Sequence, residues 1–358
     1  MTSRLPAEML EKILYAGSLA PSGHNAQPWR FRVQAETVQL VTVADPSFHN
    51  WRQCGSFVGQ GALLENLSVA ASALGYEPRI TLFPDAATPD LVASITFEPA
   101  PPRDERLSAA IPLRCTNRKP YRPVPLTSTQ QRELLHTAEE VGGAELRLYE
   151  HPSIRAELAR IGALNEGIMF STPALHRWFF EHLRWTEQDE RATTSGLYLK
   201  TLELARPQEA VLKVFQTKWG ERILNGLGFP KLIVRDNTAI NSAAAAIGVI
   251  LIPRQSDRAF IQAGRLLERV WLKATSWQLS LQPLIGTTCL ILRALAGEAD
   301  GLSPAHVALL KDADRCMREV CQLDRGTIVG LFRIGTSDSP SARSSRYPLA
   351  TLMGEERR

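Results

Sequence analysis

The chain has 358 residues, of which 44% are hydrophobic and 22% are charged, and its formal net charge is +4. This length suits one large or two ordinary globular domains with a substantial core. The sequence contains no long block of Lys and Arg, and its longest apolar run, from Ala243, falls far short of the ~20 residues of a membrane span. Nucleic acid and membrane partners are therefore not expected.

The five cysteines are scattered along the chain and form neither a Cys-x-x-Cys motif nor a metal-ligand pattern. Reduced thiols and no metal site are expected. The N-terminal stretch contains acidic residues and no apolar core of signal-peptide length. These features predict a cytoplasmic protein.

The first predicted element is a helix over Pro6–Ala16, because apolar residues recur there at helical spacing and Pro6 suits a first turn. The stretch LAPSGHNAQPWRFRV, Leu19–Val33, follows and runs into a predicted hairpin with strands WRFRV and VQLVTV. Its side chains can shape a turn or read the donor–acceptor edge of a flat heterocycle. The candidate residues in this loop are Pro21, Ser22, Gly23, His24, Asn25 and Gln27. A turn without a ligand is the alternative, and packing is the favoured role of His24 and Trp29.

The rest of the chain alternates helix and strand patterns, with a Pro-rich charged connector at Glu98–Arg106 that we take as the candidate domain boundary. Residues 153–236 are mostly helical in pattern, and the tail from Thr336 is predicted to be an extended arm. The predicted helices are Phe57–Leu74, Thr127–Val141, Phe260–Gln278 and Ser303–Cys321, and the predicted strands are RITLF, LVASITF, AELRLYE, AIGVILIP and GTIVGLFRIG.

Two of the long helices resemble each other in register. An offset of 203 residues takes Phe57 to Phe260, Gly61 to Gly264, Glu65 to Glu268, and the Leu-Leu pair of the first helix to that of the second. Two amphipathic helices can match by composition alone, but helical periodicity alone does not explain matching Phe, Gly, Leu-Leu and Glu residues in the same register. A duplicated chain would pack its halves about a pseudo-twofold axis, with the two helices at the seam.

Two basic motifs suit a phosphate group. In RCTNRKPY, Arg114 and Arg118 flank Thr116 and Asn117, and in the tail Arg343 and Arg346 lie among hydroxyl groups. A solvated basic stretch and a disordered Ser-rich terminus are the respective alternatives. No Walker loop, dinucleotide Gly-x-Gly-x-x-Gly, His-Glu-x-x-His or Ser–His–Asp pattern is present, which argues against kinase, Rossmann, metalloprotease and hydrolase functions.

Taken together, these motifs resemble the nitroreductase family of FMN-dependent oxidoreductases. APSGHNAQPW matches the family's loop after the first helix at every defined position, RCTNR matches its Arg-x-Ser-x-Arg with Thr116 in place of Ser, and RIG…SSRYPL resembles its basic C-terminal arm. The motif order is unusual, since the Arg-x-Thr-x-Arg follows the loop by about ninety residues. That order is similar to the internally duplicated, Acg-like branch.

The resemblance implies an α+β fold of two tandem nitroreductase-like domains, with antiparallel-rich mixed sheets flanked by helices, packed as an intramolecular pseudodimer. The first half would cover residues 1–105. The second would cover residues 106–358, with a helical lid insert at about 165–236 and the C-terminal arm.

The resemblance also implies one FMN per chain at the seam. Arg114, Thr116, Arg118 and Arg346 would hold the FMN phosphate and ring edge, and Ser22, Asn25 and Gln27 would meet the ring and ribityl group from the other half. Asn117, Arg343, Pro21, Gly23 and His24 complete the expected cofactor-binding set. The second pseudosymmetric site lacks both motifs and would be empty.

The implied activity is hydride transfer through FMN between a donor, with NAD(P)H as the candidate, and a small aromatic or conjugated substrate, or oxidation of a biosynthetic intermediate. No side-chain acid or base is assigned. A protein that sequesters FMN without turnover and an enzyme that consumes its flavin with oxygen are alternatives. The chain would act as a monomeric pseudodimer or as a homodimer.

Overall fold

The computed structural model describes residues 5–353, so the ends of the two predicted halves, residues 1–4 and 354–358, lie outside the described residues. The β-strands are β1 Trp29–Gln34, β2 Thr37–Thr42, β3 Tyr76–Leu82, β4 Leu91–Pro99, β5 Glu145–Tyr149, β6 Leu183–Arg184, β7 Leu197–Tyr198, β8 Ala246–Ile252, β9 Ser280–Leu284 and β10 Thr327–Gly335. The α-helices are α1 Ala7–Ser18, α2 Cys54–Ala73, α3 Glu105–Ala110, α4 Ser128–Val141, α5 Pro152–Gly162, α6 Leu164–Ser171, α7 Pro173–His182, α8 Glu187–Thr193, α9 Arg206–Phe215, α10 Lys218–Gly226, α11 Phe229–Ser242, α12 Asp257–Ser276, α13 Ile285–Leu295, α14 Pro304–Cys321 and α15 Leu349–Leu352.

Two four-stranded antiparallel sheets carry the same topology. The strand orders are β1-β2-β4-β3 and β5-β8-β10-β9, so each sheet places its four strands in the sequence 1-2-4-3. In each sheet the long helix, α2 or α12, connects the second strand to the third. The α+β fold with antiparallel sheets flanked by helices is thus confirmed, and the internal repeat extends from the helices to the sheets.

The long helices α2 and α12 cross at the seam between the two sheets. A Cβ atom added to Gly61 would lie 2.0 Å from the carbonyl oxygen of Ile261, and one added to Gly264 would lie 2.0 Å from that of Val58. The two contacts are related by the same offset of 203 residues, because Val58 corresponds to Ile261 and Gly61 to Gly264. The helix backbones therefore approach each other about a pseudo-twofold axis, and only glycine leaves room at the crossing.

The second sheet lies between two apolar cores, which explains the continuous apolar run of β8. Ala246, Ile250 and Ile252 point into the core shared with α2 and α12, whereas Val249 and Leu251 point into a core with α13 and α14. A strand buried on both faces needs no polar alternation. The central position of β8 and β10 in the sheet order agrees with this burial.

Helices α5 to α11, with the short parallel pair β6–β7, form an insert between β5 and β8. Part of this insert, residues 165–236, is the region that the sequence predicts to be a helical lid; we call residues 165–236 the lid insert. Its aromatic side chains pack against one another, with Phe170 next to Phe179 and Phe215 at ring-centroid distances of 5.1 and 5.0 Å. These aromatic side chains belong to the same apolar core as Val249 and Leu251 of β8, so the insert packs onto the second sheet.

Local capping signals explain where two of the predicted helices begin. Thr127 and Gln130 form a capping box at the start of α4, and the Ser303 side chain accepts a hydrogen bond from the backbone N–H of His306 in α14. Strand β9 and helix α13 were not predicted from the sequence. The boundary predicted at 105/106 stays a prediction; α3 begins at Glu105, next to it.

Candidate functional site

The loop after α1 is held in an uncommon backbone conformation. His24, Asn25 and Gln27 all have positive φ angles, 40°, 58° and 50°. The Ser22 hydroxyl accepts a hydrogen bond from the backbone N–H of Gln27 at 3.0 Å, which closes the loop on itself. Gln60 of α2 donates to the carbonyl of Pro28 at 2.9 Å and so fixes the loop's exit. Such backbone strain is retained where surrounding contacts over-determine it.

Polar side chains of this loop contact the lid insert. The amide groups of Asn25 and Gln27 both donate to the carbonyl of Thr194, at 3.2 and 2.8 Å. Gln27 is 1% exposed and Asn25 is buried as well. These two hydrogen bonds therefore hold the C-terminal end of α8 next to the loop.

The same two side chains contact the C-terminal arm, residues 336–353. The Asn25 amide donates to the carbonyl of Ser345 at 3.0 Å, and its oxygen accepts from a guanidinium N–H of Arg346 at 2.8 Å. The Gln27 oxygen accepts from the backbone N–H of Tyr347 at 2.8 Å. The loop, the lid insert and the arm thus meet through Asn25 and Gln27.

The segment Arg114–Arg118 crosses from the first sheet to the second. Thr116 forms a β-bridge with Leu281 of β9, and the Asn117 side chain donates to the carbonyl of Asp338 at 2.7 Å and to the hydroxyl of Ser280 at 2.9 Å. Asn117 is 1% exposed, so these contacts anchor the segment and the start of the arm. Arg118 donates to the carbonyl of Thr201 in the lid insert at 2.9 Å.

A cavity of about 470 Å³ lies where these segments meet. It is lined by nine of the predicted site residues: Pro21, Ser22, His24, Asn25, Arg114, Thr116, Arg118, Arg343 and Arg346. Gly23, Gln27 and Asn117 do not line it; Gln27 and Asn117 hold the segments that do. The structure brings together two motifs that are about ninety residues apart and a tail more than 200 residues further on.

Four arginines give the cavity a strongly positive lining. Arg343 donates to the carbonyls of Pro112 and Leu113 and is exposed. Burial lowers the pKa of Arg118, and it lowers that of Arg346 to about 10, with Arg114 adding to the effect. Buried cations of this kind favour an anion as their partner.

His24 lies at the edge of the cavity between aromatic side chains of the lid insert. Its ring is 4.8 Å from that of Trp178 and 5.2 Å from that of His182, both edge-on. Burial lowers the pKa of His24 to about 4, against the opposing effect of Asp45, whose carboxylate is 3.9 Å away. The imidazole is therefore neutral near pH 7, and its position combines packing with contact to the cavity.

Sequence reasoning did not assign several residues that shape the cavity. Tyr15, Leu197, Thr201 and Tyr347 line it, and Glu268 lies beneath Arg114 at 3.1 Å. Of these, Glu268 carried a sequence signal, because it belongs to the repeated Leu-Leu-Glu of the two long helices, and Tyr347 lies in the SSRYPL stretch of the predicted arm. The other three come from segments with no distinguishing pattern.

This chain is similar in sequence to several known proteins. Residues 1–54 match the model of the nitroreductase family. The chain is 27% identical over 277 residues to a Mycobacterium tuberculosis protein provisionally named NAD(P)H nitroreductase acg, covering 75% of this chain and 77% of that protein. It is 34% identical over 132 residues to a second such protein from the same organism, Rv3131, covering 35% of this chain and 38% of the relative.

A further M. tuberculosis relative, uncharacterized protein MT1398, is 25% identical over 351 residues, which is 95% of this chain but 47% of that protein. The chain thus spans about half the length of this relative. No helix within residues 5–353 is long and apolar enough to cross a membrane.

Two solved structures superpose partially on this chain. The FMN-dependent nitroreductase NfnB from Mycobacterium smegmatis in complex with NADPH covers 71% of this chain and 99% of its own, at 13% identity and a TM-score of 0.40. The NADPH:FMN oxidoreductase from Vibrio harveyi complexed with NAD+ covers 71% and 78%, at 12% identity and a TM-score of 0.37. The family-model match to residues 1–54 and the relatives in M. tuberculosis thus show that this chain is similar to proteins of the nitroreductase family.

Proposed function

We propose that the chain binds one FMN in the arginine-lined cavity and acts as an FMN-dependent oxidoreductase of the nitroreductase type. The observation that carries this proposal is the meeting of the Pro21–Ser22 loop, the Arg114–Arg118 segment and the C-terminal arm around one cavity. A volume of about 470 Å³ lies within the usual range of small-molecule and cofactor sites. The nine predicted residues that line the cavity would contact the cofactor, Gln27 and Asn117 would act through the segments they hold, and Gly23 does not line the cavity.

The charges of the cavity fit the phosphate end of FMN. A phosphate monoester carries about −1.5 to −2 charges at neutral pH and offers strong acceptor oxygens. The Nε atom of Arg346 is buried and has no hydrogen-bond partner among the described residues, although the other nitrogens of its guanidinium are engaged. A phosphate oxygen would satisfy this donor.

Bound FMN would supply the hydride chemistry. The chain's residues would hold the phosphate through Arg114, Arg118 and Arg346, orient the ring against the Ser22 loop, and keep water out with the lid insert. The names of the M. tuberculosis relatives point to NAD(P)H as the electron donor. We propose a small aromatic or conjugated compound as substrate, in the reductive direction or as an oxidised biosynthetic intermediate.

The repeated topology supports a division into two nitroreductase-like halves, residues 1–105 and 106–358, in the internally duplicated Acg-like branch. One chain would then supply both sides of the FMN site and function as a monomer. Light scattering combined with the flavin-to-protein ratio tests this proposal: one FMN per chain in a monomeric fraction is expected, and one FMN per two chains would contradict it.

A second candidate function is FMN sequestration without turnover. It is favoured by the hydrogen bonds that tie Asn25 and Gln27 to Thr194, because they fasten the lid insert over the loop. Leu197 and Thr201 of the insert also form part of the cavity wall. A lid that stays closed would exclude the electron donor.

The absorption spectrum of the purified protein is the first test. We expect a flavin spectrum, and release of the chromophore with a mass that matches FMN. The double variant Ser22→Ala, Arg118→Ala removes one group from each side of the cavity and should lose the colour. The matched control is Ser128→Ala, Arg132→Ala, which changes the same residue types on the exposed face of α4. Unchanged FMN affinity in the first variant would contradict the site.

Anaerobic reduction separates the two candidate functions. If the chain is a reductase, NADH or NADPH bleaches the bound flavin and a nitroaromatic or quinone acceptor restores its colour. If it sequesters FMN, neither nucleotide bleaches the flavin, whereas dithionite still does. The dithionite arm shows that the flavin itself is intact in either case.

A further inference from the structure

A buried carboxyl group lies beneath the positive floor of the cavity. Glu268 of α12 is 0% exposed, and its Oε1 lies 3.1 Å from the Nε of Arg114. The Arg114 guanidinium stacks over the Trp271 ring at 4.4 Å and donates to the carbonyl of Leu19 at 3.2 Å. Arg114 is therefore held from below by Glu268, from one side by Trp271 and from another by the loop backbone, with its charge at the cavity surface.

The environment of Glu268 suits a neutral carboxyl group. Neither of its oxygens has a hydrogen bond of normal geometry among residues 5–353, and the same is true of both polar atoms of Asn66, which faces it. An ionised carboxylate can only accept hydrogen bonds, whereas a protonated one can donate to the Asn66 oxygen. Burial raises the pKa of Glu268 to about 7, against the opposing effects of Arg114, Asn66 and Arg346 and with a smaller contribution from Glu65.

The pseudosymmetric carboxyl group is paired in a different way. Glu65 of α2 corresponds to Glu268 by the offset of 203 and is also 0% exposed. It accepts from Arg265 at 2.9 Å and from Arg269, and the residue that takes the place of Asn66 by the same offset is Arg269. Glu65 is thus neutralised by two fixed cations, while Glu268 shares Arg114 with the cavity.

We propose that Glu268 is the positioning residue of Arg114 and takes up a proton from solvent when an anion binds in the cavity. The choice of FMN as the anion rests on the proposed function. While Glu268 is ionised, it offsets the charge of Arg114 and Arg346; once it is protonated, both arginines are free to act on the anion. Binding of the anion and protonation of Glu268 therefore favour each other.

The sign of the pH dependence follows from this linkage. A nearby anion raises the pKa of the carboxyl group further, so the liganded protein binds more protons than the free protein near neutral pH. Anion affinity is then highest below the titration of Glu268 and falls as pH rises through it. One pK unit of coupling corresponds to a change of about tenfold in Kd.

The first test follows the Kd of FMN, measured by flavin fluorescence, from about pH 6 to about pH 9. In the wild-type chain the Kd should rise about tenfold over this range. Glu268→Gln mimics the protonated side chain, so its Kd should stay near the low-pH wild-type value. The FMN phosphate titrates equally in both proteins and cancels in the comparison. Glu65→Gln is the matched control; it should keep the wild-type rise in Kd, with the midpoint at a slightly lower pH because Glu65 contributes a little to the raised pKa of Glu268. A Glu268→Gln profile that parallels the wild type would overturn the proposal.

The second test needs no flavin. Burial raises the pKa of Glu268 from its ordinary value of 4.5 to about 7, so the folded state binds more protons than the unfolded chain between these values and loses stability as pH rises through them. The melting temperature of Glu268→Gln should therefore gain several degrees on the wild type from about pH 4.5 to about pH 7. A constant difference would contradict protonation of Glu268.

The two tests distinguish failure of this inference from failure of the proposed function. If the wild type binds no FMN, the FMN site is wrong, and sulfate, which does not titrate in this range, becomes the probe. Stabilisation of the wild type by sulfate should then fade as pH rises, whereas that of Glu268→Gln should persist. Equal fading in both proteins would overturn the proton linkage itself.

Discussion

The two sides of the seam between α2 and α12 share the Leu-Leu-Glu repeat but differ in the groups that surround its carboxyl group. On one side, Glu268 lies under Arg114 and an open cavity. On the other, Glu65 meets Arg265 and Arg269, and Arg269 continues to Asp104 at 3.6 Å and to Glu140 at 3.3 Å. The second side is a closed network of the chain's own charges.

This difference shows what duplication within one chain permits. In a symmetric dimer, a substitution changes both sites at once. In this chain each half varies independently, so Arg269 can occupy the position that Asn66 has on the cavity side. The side around Glu65 can then be occupied by ion pairs that stabilise the fold, while the side around Glu268 retains a cavity and positive charge for a ligand.

The largest effect is expected at the crossing that both sides share. Gly61→Ala places a Cβ 2.0 Å from a backbone oxygen of α12, which no side-chain rotation can relieve. We expect a loss of at least about 3 kcal/mol in the free energy of unfolding, measured by urea titration, because overpacking against backbone forces the helices apart.

The control for this change is Gly226→Ala in α10, where an added Cβ meets nothing within 4 Å. It should be neutral or stabilising by up to about 1 kcal/mol, since alanine favours helix more than glycine does. Equal stability of Gly61→Ala and Gly226→Ala would mean that the helices do not cross as closely as described.

The next effect concerns the cavity side alone. Arg346→Ala removes a half-buried cation that lines the cavity and whose Nε has no partner among the described residues. We expect the Kd of FMN to rise about 10- to 100-fold, the effect of losing ~1.5–3 kcal/mol from a hydrogen bond to a charged group. Fluorescence titration measures this change, and Arg315→Ala, on the exposed face of α14, serves as its control. An unaltered Kd would remove the arm from the binding site.

The complementary change acts on the filled side. Arg269→Ala leaves Glu65 with Arg265 as its remaining partner and breaks the links to Asp104 and Glu140. We expect a loss of about 1–3 kcal/mol in the free energy of unfolding, because a buried carboxylate loses one of its partners. The Kd of FMN should change less than twofold, within about 0.4 kcal/mol. Weakened FMN binding in this variant would show that the two sides are not independent.

The repeated helices show how far sequence could anticipate this structure. The shared Gly and Leu-Leu-Glu predicted a seam, because close helix packing and a buried carboxyl leave a mark at fixed spacing. The predicted helices Thr127–Val141 and Ser303–Cys321 likewise match α4 and α14. These features depend on neighbours along the chain.

Features that depend on distant partners were beyond the sequence. The sequence does not distinguish a Gln27 that binds a ligand from a Gln27 that is buried and bonded within the protein. Only the structure shows that its amide group is hydrogen-bonded to Thr194 and Tyr347. The same holds for Asn117, whose partners lie in β9 and the arm. Strand β9 was missed because SLQPL contains a Pro and follows a helix directly.

The smallest expected effect tests how firmly the lid insert closes the cavity side. Gln27→Ala removes the 2.8 Å hydrogen bond to Thr194 and the one from Tyr347 without touching a cavity-lining side chain. Because both bonds fasten segments over the cavity, their loss should speed FMN dissociation about 3- to 10-fold, the effect of ~1 kcal/mol. Stopped-flow fluorescence measures the rate, and Gln216→Ala, an exposed position of the lid insert, should leave it unchanged. If dissociation from Gln27→Ala is as slow as from the wild type, the lid insert does not control access, and the argument for sequestration loses its structural basis.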